Sequence, residues 1–363
     1  MRWQRIIVGV ALVAALAAGF ALGDNIFWIR VVTFALLLSA VAQSWNLLAG
    51  YAGQWSLAQL AFFGLGAYTA GIIEKRWHIP LLFGLFVGVA VTAAFAAAIG
   101  YVTLRIRGHY FSLVTFLLTV SLFELVRFFA DYTGGQYGLS ISFQPGTDLL
   151  MLQFDNQVAY YYLALAVSII ATLVLWGVGR SRLGLLLRAI RDDEESAAAL
   201  GIRVLALKVT AMAISAAMAA MAGVAYLATY KLMDAETAFG IHNSLDPVVA
   251  GILGGAGVLL GGVAGEFVLQ PVVAEVNVQF GSLPGIAALL YGLILMLAIL
   301  LIPQGLLGVL RPGGLRRYTS SLRARFRGGE GPVAPATAAT TRSADESLAS
   351  ATQDREADRG APL

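Results

Sequence analysis

The side chains in this chain that could do chemistry gather in two places. Between Asn46 and Gln59, the polar residues Asn46, Gln54, Ser56 and Gln59 interrupt a lipid-like stretch, and Gly50 and Gly53 break its helical continuity. Carboxamides and a hydroxyl bind by hydrogen bonding and do no acid–base work at neutral pH. Irregular backbone at membrane depth persists only where protein or a water-filled cavity surrounds it. Asn46, Gly50, Gly53, Gln54, Ser56 and Gln59 are therefore candidates to line a translocation path. The competing reading makes Asn46, Gln54 and Gln59 interhelical hydrogen-bond glue worth about 1 kcal/mol or less each. The second place is the charged interval from Arg180 to Lys208. Asp192, Asp193, Glu194 and Glu195 stand where a helix N-terminus favours negative charge, Ala197 to Leu200 are strong helix formers, and Gly201 suits a left-handed C-terminal cap. The order predicts one short, well-terminated helix from Asp192 to Gly201 that docks on a partner. The bland alternative is a solvated loop.

Other ionisable groups offer little catalytic chemistry. Glu124 and Arg127 are three apart on one helix face and are expected to pair structurally. Glu266 and Glu275 lie close to predicted segment ends and are expected to reach water. His78, His109 and His242 fall in predicted loops without metal-ligand spacing, and no His-Glu-x-x-His run appears, so neither a metal nor a catalytic residue is assigned. The chain has no cysteine, which removes disulfides and thiolate chemistry. Trp45 and Trp55 flank the polar turn, and interfacial anchoring is the commoner use of tryptophan. Gly254, Gly255, Gly257, Gly261 and Gly262 predict either close helix approach or a second interrupted helix.

The elements that position these groups are apolar helices. Of 363 residues, 59% are hydrophobic and 12% charged, against about 45–50% and about 25% in soluble domains. Fifteen of the 45 charges fall after Leu310. Residues 1–310 are thus expected to be an all-α, polytopic transmembrane bundle, and a soluble enzyme or nucleic-acid-binding module is excluded. The runs Ile6 to Leu22, Ile29 to Leu48, Leu57 to Ile73, Leu81 to Leu104, Phe111 to Phe129, Ala159 to Val178, Val209 to Ala228, Pro247 to Gly262, Val263 to Val278 and Pro284 to Ile302 make about ten spans (8–10), the eighth and ninth being short. The first run, preceded by Arg2 and Arg5, has a cleavable signal peptide as its rival reading. With the N-terminus inside, sixteen Lys and Arg collect on the inner side and five on the outer. Both termini are thereby placed in the cytoplasm, 180–208 becomes a cytoplasmic loop and 130–158 an external one. Residues 311–363 read as a disordered cytoplasmic tail.

The interval Arg180 to Lys208 then resembles a known pattern. Glu195-Ser196-Ala197 followed by Gly201 is similar to the EAA loop of ABC importer permeases, Glu-Ala-Ala-x-x-x-Gly. Ser196 and the doubled Glu194-Glu195 depart from it by one register position, so either glutamate fits the acidic place. Arg180-Ser-Arg-Leu-Gly, Arg188-Ala-Ile-Arg and Ala199-Leu-Gly-Ile resemble more closely the high-affinity branched-chain amino-acid permease family, M-type subunit. The patches beginning at Asn46, Phe63, Thr133, Gly251 and Pro303 carry the same likeness through Gly308. The resemblance implies a permease subunit of an ATP-binding-cassette importer in the bacterial inner membrane. It implies cytoplasmic ATPase subunits, a second permease subunit and an external solute-binding protein as partners, with no cofactor. Arg188, Arg191, Glu194, Glu195, Ser196, Ala197 and Gly201 become the ATPase-coupling residues, with Ala197 on the docking face. Energy must come from a separate chain, because a phosphate-cradling loop needs a Gly-Lys pair and Lys75, Lys208 and Lys231 follow Glu, Leu and Tyr. Urea, short amides or another small metabolite are alternative cargoes. An ion-coupled carrier is a third reading that the scarcity of mid-span acids disfavours.

Overall fold

Polar side chains in a membrane-depth helix turn toward the bundle interior, and helix α1, Ile26–Trp45, which carries Thr33, Ser39, Gln43 and Ser44 in an apolar run, lies at the centre. Every residue from Ala35 through Ala52 is buried. The computed structural model describes residues 25–106, 108–142, 146–281 and 305–309, with Gly19 and a few positions between 285 and 296. The expected first span, most of the tenth and residues 311–363 lie outside the described residues.

A six-residue π-helix, Asn46–Tyr51, continues α1. An irregular stretch leads to α2, Gln59–Trp77, then α3, Leu81–Thr103, and α4, His109–Phe128. After the far-end loop come α5, Gln157–Arg180, α6, Arg182–Asp192, and α7, Glu194–Ala199. Helix α8, Val204–Tyr230, returns across the bundle, and α9, Ile241–Gly254, and α10, Gly261–Phe280, follow. The described residues are thus overwhelmingly helical. Among the described residues, five helices are long and apolar enough to span a membrane: Ile26–Tyr51, Leu81–Thr103, Tyr110–Phe128, Gln157–Arg180 and Val204–Tyr230.

Helices α1, α2 and α8 form the centre. Helix α8 packs on α2, α3 and α1, while α5 and α10 flank α1. Small residues permit the tightest approach. In α3, Gly84, Gly88, Thr92, Ala96 and Gly100 recur every four residues and form the buried stripe, whereas Phe83, Phe86, Val87 and Val91 are exposed on the other side. A side chain at Gly88 would meet the Gly66 carbonyl of α2. Without a hydrophobic force between helices in lipid, such close backbone contact supplies the association energy.

The two loops lie at opposite ends. At the far end, Leu139 pairs with Met233 and Ser140 with Leu232 in a two-stranded antiparallel ribbon, and Arg76 sits over the Tyr132 ring at 4.0 Å. At the near end, Lys208 at the start of α8 meets Glu194 of α7.

The glycine-rich segment breaks elsewhere than expected. The chain turns after Gly254, not at Gly262, because Gly255 and Gly257 adopt positive φ of 115° and 79° while Gly261 and Gly262 are helical. Helix α9 is 14 residues long, about 21 Å at 1.5 Å per residue, too short for a hydrocarbon core of about 30 Å.

Candidate functional site

The π-helix forms where helical continuity fails. Gly53 takes φ +67°, the Gln54 N–H returns to the Leu48 carbonyl at 3.0 Å, and residues 53–58 run without helical hydrogen bonds to α2. Polar backbone at this depth must be satisfied from elsewhere, and α4 does so. Thr115 Oγ1 accepts from the Leu57 N–H at 3.0 Å, and Ser112 Oγ donates to the Trp55 carbonyl at 2.6 Å. Ser56 is buried and uses its Oγ to accept from the Ala58 N–H at 3.2 Å. Gln54 is half-buried and its Nε2 reaches only the neighbouring Ala52 carbonyl at 3.4 Å.

Asn46 clamps this break to the other one. Its Nδ2 donates to the Val258 carbonyl at 2.7 Å, and its Oδ1 accepts from the Gly257 N–H at 2.6 Å. Gly50 makes the approach possible, since a Cβ there would collide with Asn46 Oδ1 and the Gly257 backbone. The Gly50 carbonyl, freed by the break, accepts from Arg191 Nη1 at 2.7 Å. Asn46, Gly50, Gly53 and Arg191 therefore meet in one junction, although the sequence presents them as two separate groups.

Deeper in the bundle a polar seam joins α1, α2, α5 and α8. Gln59 Oε1 accepts from Ser44 Oγ at 2.9 Å and Ser215 Oγ at 3.1 Å, and Ser215 Oγ also reaches the Ser44 carbonyl at 2.7 Å. Ser39 and Ser168 hydroxyls meet at 2.7 Å. Gln43 donates through Nε2 to the Leu259 carbonyl at 2.6 Å and to Thr172 Oγ1 at 3.3 Å. Sequence reasoning missed Gln43, Ser44, Ser168 and Ser215; the signal was a carboxamide and hydroxyls inside apolar runs.

The near end holds two helices where one was expected. Ser181 starts α6, accepting from the Gly184 N–H at 3.3 Å. Asp193 then leaves the helical conformation and caps α7, accepting from the Glu195 and Ser196 N–H groups at 3.0 Å each and from the Ser196 hydroxyl at 2.6 Å. The hydroxyl first, then the Ser196 and Glu195 amides, hold this carboxyl below the usual range. The chain stops helical progress there because a capping aspartate competes for its own backbone. Gly201 takes φ +80°, as the capping pattern anticipates.

The coupling residues divide between two directions. Glu194 Oε2 accepts from Lys208 Nζ at 2.6 Å, fastening α7 to α8. Arg188 is exposed and folds back, Nε to the Gly184 carbonyl at 3.0 Å and Nη2 to the Gly179 carbonyl at 2.7 Å, over the Tyr51 ring. Ala197, expected on the docking face, is 4% exposed and faces its own chain, because the cap rotates α7 so that this small residue meets the bundle. The exposed face carries Glu195, Ser196, Ala198 and Ala199, and ends in Leu200, which is 83% exposed.

Two acids separate likewise. Glu275 is exposed, but Glu266 is fully buried, contrary to expectation, because α9 and α1 cover its face of α10. Glu124 and Arg127 pair at 3.5 Å. Among the described residues no group of three or more His, Asp or Glu side chains is placed to hold a metal ion.

The model of one protein family, described as branched-chain amino acid transport system permease component, matches residues 27–302. The chain is similar to the high-affinity branched-chain amino acid transport system permease protein LivM of Salmonella typhimurium (strain LT2) and to LivM of Escherichia coli (strain K12). Each is 26% identical over 336 residues, covering 85% of this chain and 76% of the relative. No solved structure matches.

Proposed function

The chain belongs to the family of branched-chain amino acid transport system permease components, and from that premise we propose that it is the membrane-spanning permease subunit of an ATP-binding-cassette importer for branched-chain amino acids. It works in the bacterial inner membrane with about ten segments (8–10) and both termini in the cytoplasm. Cytoplasmic ATPase subunits grip α7, a second permease subunit completes the passage, and an external solute-binding protein delivers the cargo.

One observation carries this reading. A two-turn helix is capped by Asp193 and fastened by Lys208 to α8, and it presents an open face ending in Leu200. A single exposed leucine is ordinary on a protein surface; at the end of a short capped helix it offers an apolar anchor to a groove on a partner. Behind it, Arg191 ties the same segment to the broken stretch at Gly50, so movement of α7 reaches the bundle. Differential grip in the two nucleotide states is what can bias the bundle between packings.

Leu200→Arg tests the reading. Membrane insertion is expected to persist while ATPase copurification and ATP-driven leucine uptake fall at least about tenfold, the loss expected when a central apolar anchor is replaced by a charge. Unaltered uptake would count decisively against it. Competition of labelled leucine uptake by urea separates the amino-acid cargo from the amide alternative.

A further inference from the structure

We propose that Glu266 forms a subsite for the cargo's α-ammonium group between α1 and α10. The proposal rests on the amino-acid importer reading and names the cargo group that this part of the passage recognises.

Glu266 has no water contact, and its Oε2 has a single partner, Gln270 Nε2 at 3.0 Å. Its Oε1 has none among the described residues. Gln43 is also fully buried. Donation of its Nε2 to a backbone carbonyl fixes the amide orientation, and this leaves Oε1 as a second unpartnered acceptor. The helices that carry them touch one turn before Glu266. A Cβ at Gly262 would lie 2.9 Å from the Gln43 backbone nitrogen, and Glu266 stands one turn beyond Gly262 on the same face of α10.

Helices α9 and α10 contain no Lys or Arg, and the one basic residue of α1, Arg30, is exposed at its far end. Asp246 of α9 adds a second negative charge to the surroundings. A buried carboxylate with one amide partner is stable only with a counter-ion or a proton, and an ionisable side chain inside a bundle marks a functional position by default. An α-ammonium brings one positive charge and three donors. It can satisfy the unpartnered Glu266 Oε1. The residues are closed off in this packing, so loading requires α1 and α10 to part during the transport cycle.

The test uses the assembled complex in lipid nanodiscs and equilibrium binding of labelled leucine. Two analogues separate the cargo's charges: isopentylamine keeps the ammonium and lacks the carboxylate, and 4-methylpentanoate does the reverse. Isopentylamine is expected to displace leucine and 4-methylpentanoate is not. Glu266→Gln should weaken leucine binding by about tenfold or more and abolish displacement by isopentylamine, as loss of a charge-assisted contact predicts. Glu266→Asp should restore part of both. Equal displacement by the two analogues overturns the subsite, and so does parental affinity in Glu266→Gln. Should a variant fail to assemble, the analogue comparison on the unaltered complex decides alone. Binding of labelled isopentylamine that depends on Glu266, without leucine binding, would leave the subsite standing and refute the cargo reading; binding of neither refutes the subsite.

Discussion

At the scale of single residues, the contact between Lys208 and Glu194 sets how firmly the near-end helix is held. The lysine side chain is 2% exposed and its partner 31%. Glu194→Ala would strand a buried ammonium, a loss of about 3 kcal/mol at the low end of the range for broken buried pairs. Exchanging both for apolar residues, Glu194→Leu with Lys208→Met, should be close to neutral. Hydrogen exchange of the Glu194–Ala199 amides checks both, and equal protection in the single and double variants would refute it. The same scale shows what a linear reading cannot see. Arg188 and Arg191 read as inner-surface charges, yet each turns back to a carbonyl left free by a helix end or break. Whether Glu266 reaches water depends on which helices cover it, and residue spacing along α10 carries no such information.

At the scale of elements, the broken segment after α1 behaves as a jointed part whose hinge is glycine. Gly50 has no room for a methyl group between Asn46 and Gly257. Gly50→Ala is therefore expected to part the Asn46 clamp, with an overpacking penalty of about 1–3 kcal/mol, and to reduce ATP-driven uptake roughly tenfold. Copurified ATPase should stay at parental level, because the exposed face of α7 is untouched. Full uptake in this variant would remove the junction from the transport cycle. Helix boundaries were legible from apolar runs to within a few residues for α3, α4 and α5. The position of the second break was not, since five glycines crowd one stretch and only backbone geometry selects Gly255 and Gly257. The split between α6 and α7 was likewise hidden, because an acidic run suits a helix start at any of four adjacent positions.

At the scale of the whole molecule, the far end carries a charge that works against folding. Lys231 caps α8 with φ 61°, its Nζ closed from water 5.1 Å from the Tyr160 ring. Burial lowers its pKa to about 8, Glu74 opposing the shift. An unfolded chain would hold that proton up to about 10.5. Between those values the unfolded state binds more protons, so stability rises with pH across the interval and is flat below it. Melting of the complex followed from pH 7 to 10 should show the rise. Lys231→Met should melt higher at pH 7 and lose the slope; an unchanged slope would refute the assignment. A predominantly helical architecture with several membrane spans was readable from composition and apolar runs, whereas the centrality of α1, α2 and α8 came only with tertiary packing. One last property follows from the short strut between the Arg191 guanidinium and the Gly50 carbonyl. A connection that lets the engine move the passage must also let the passage talk to the engine. On the importer reading proposed above, thermodynamic linkage makes that exchange symmetric: whatever factor nucleotide binding applies to cargo affinity, cargo applies to nucleotide affinity.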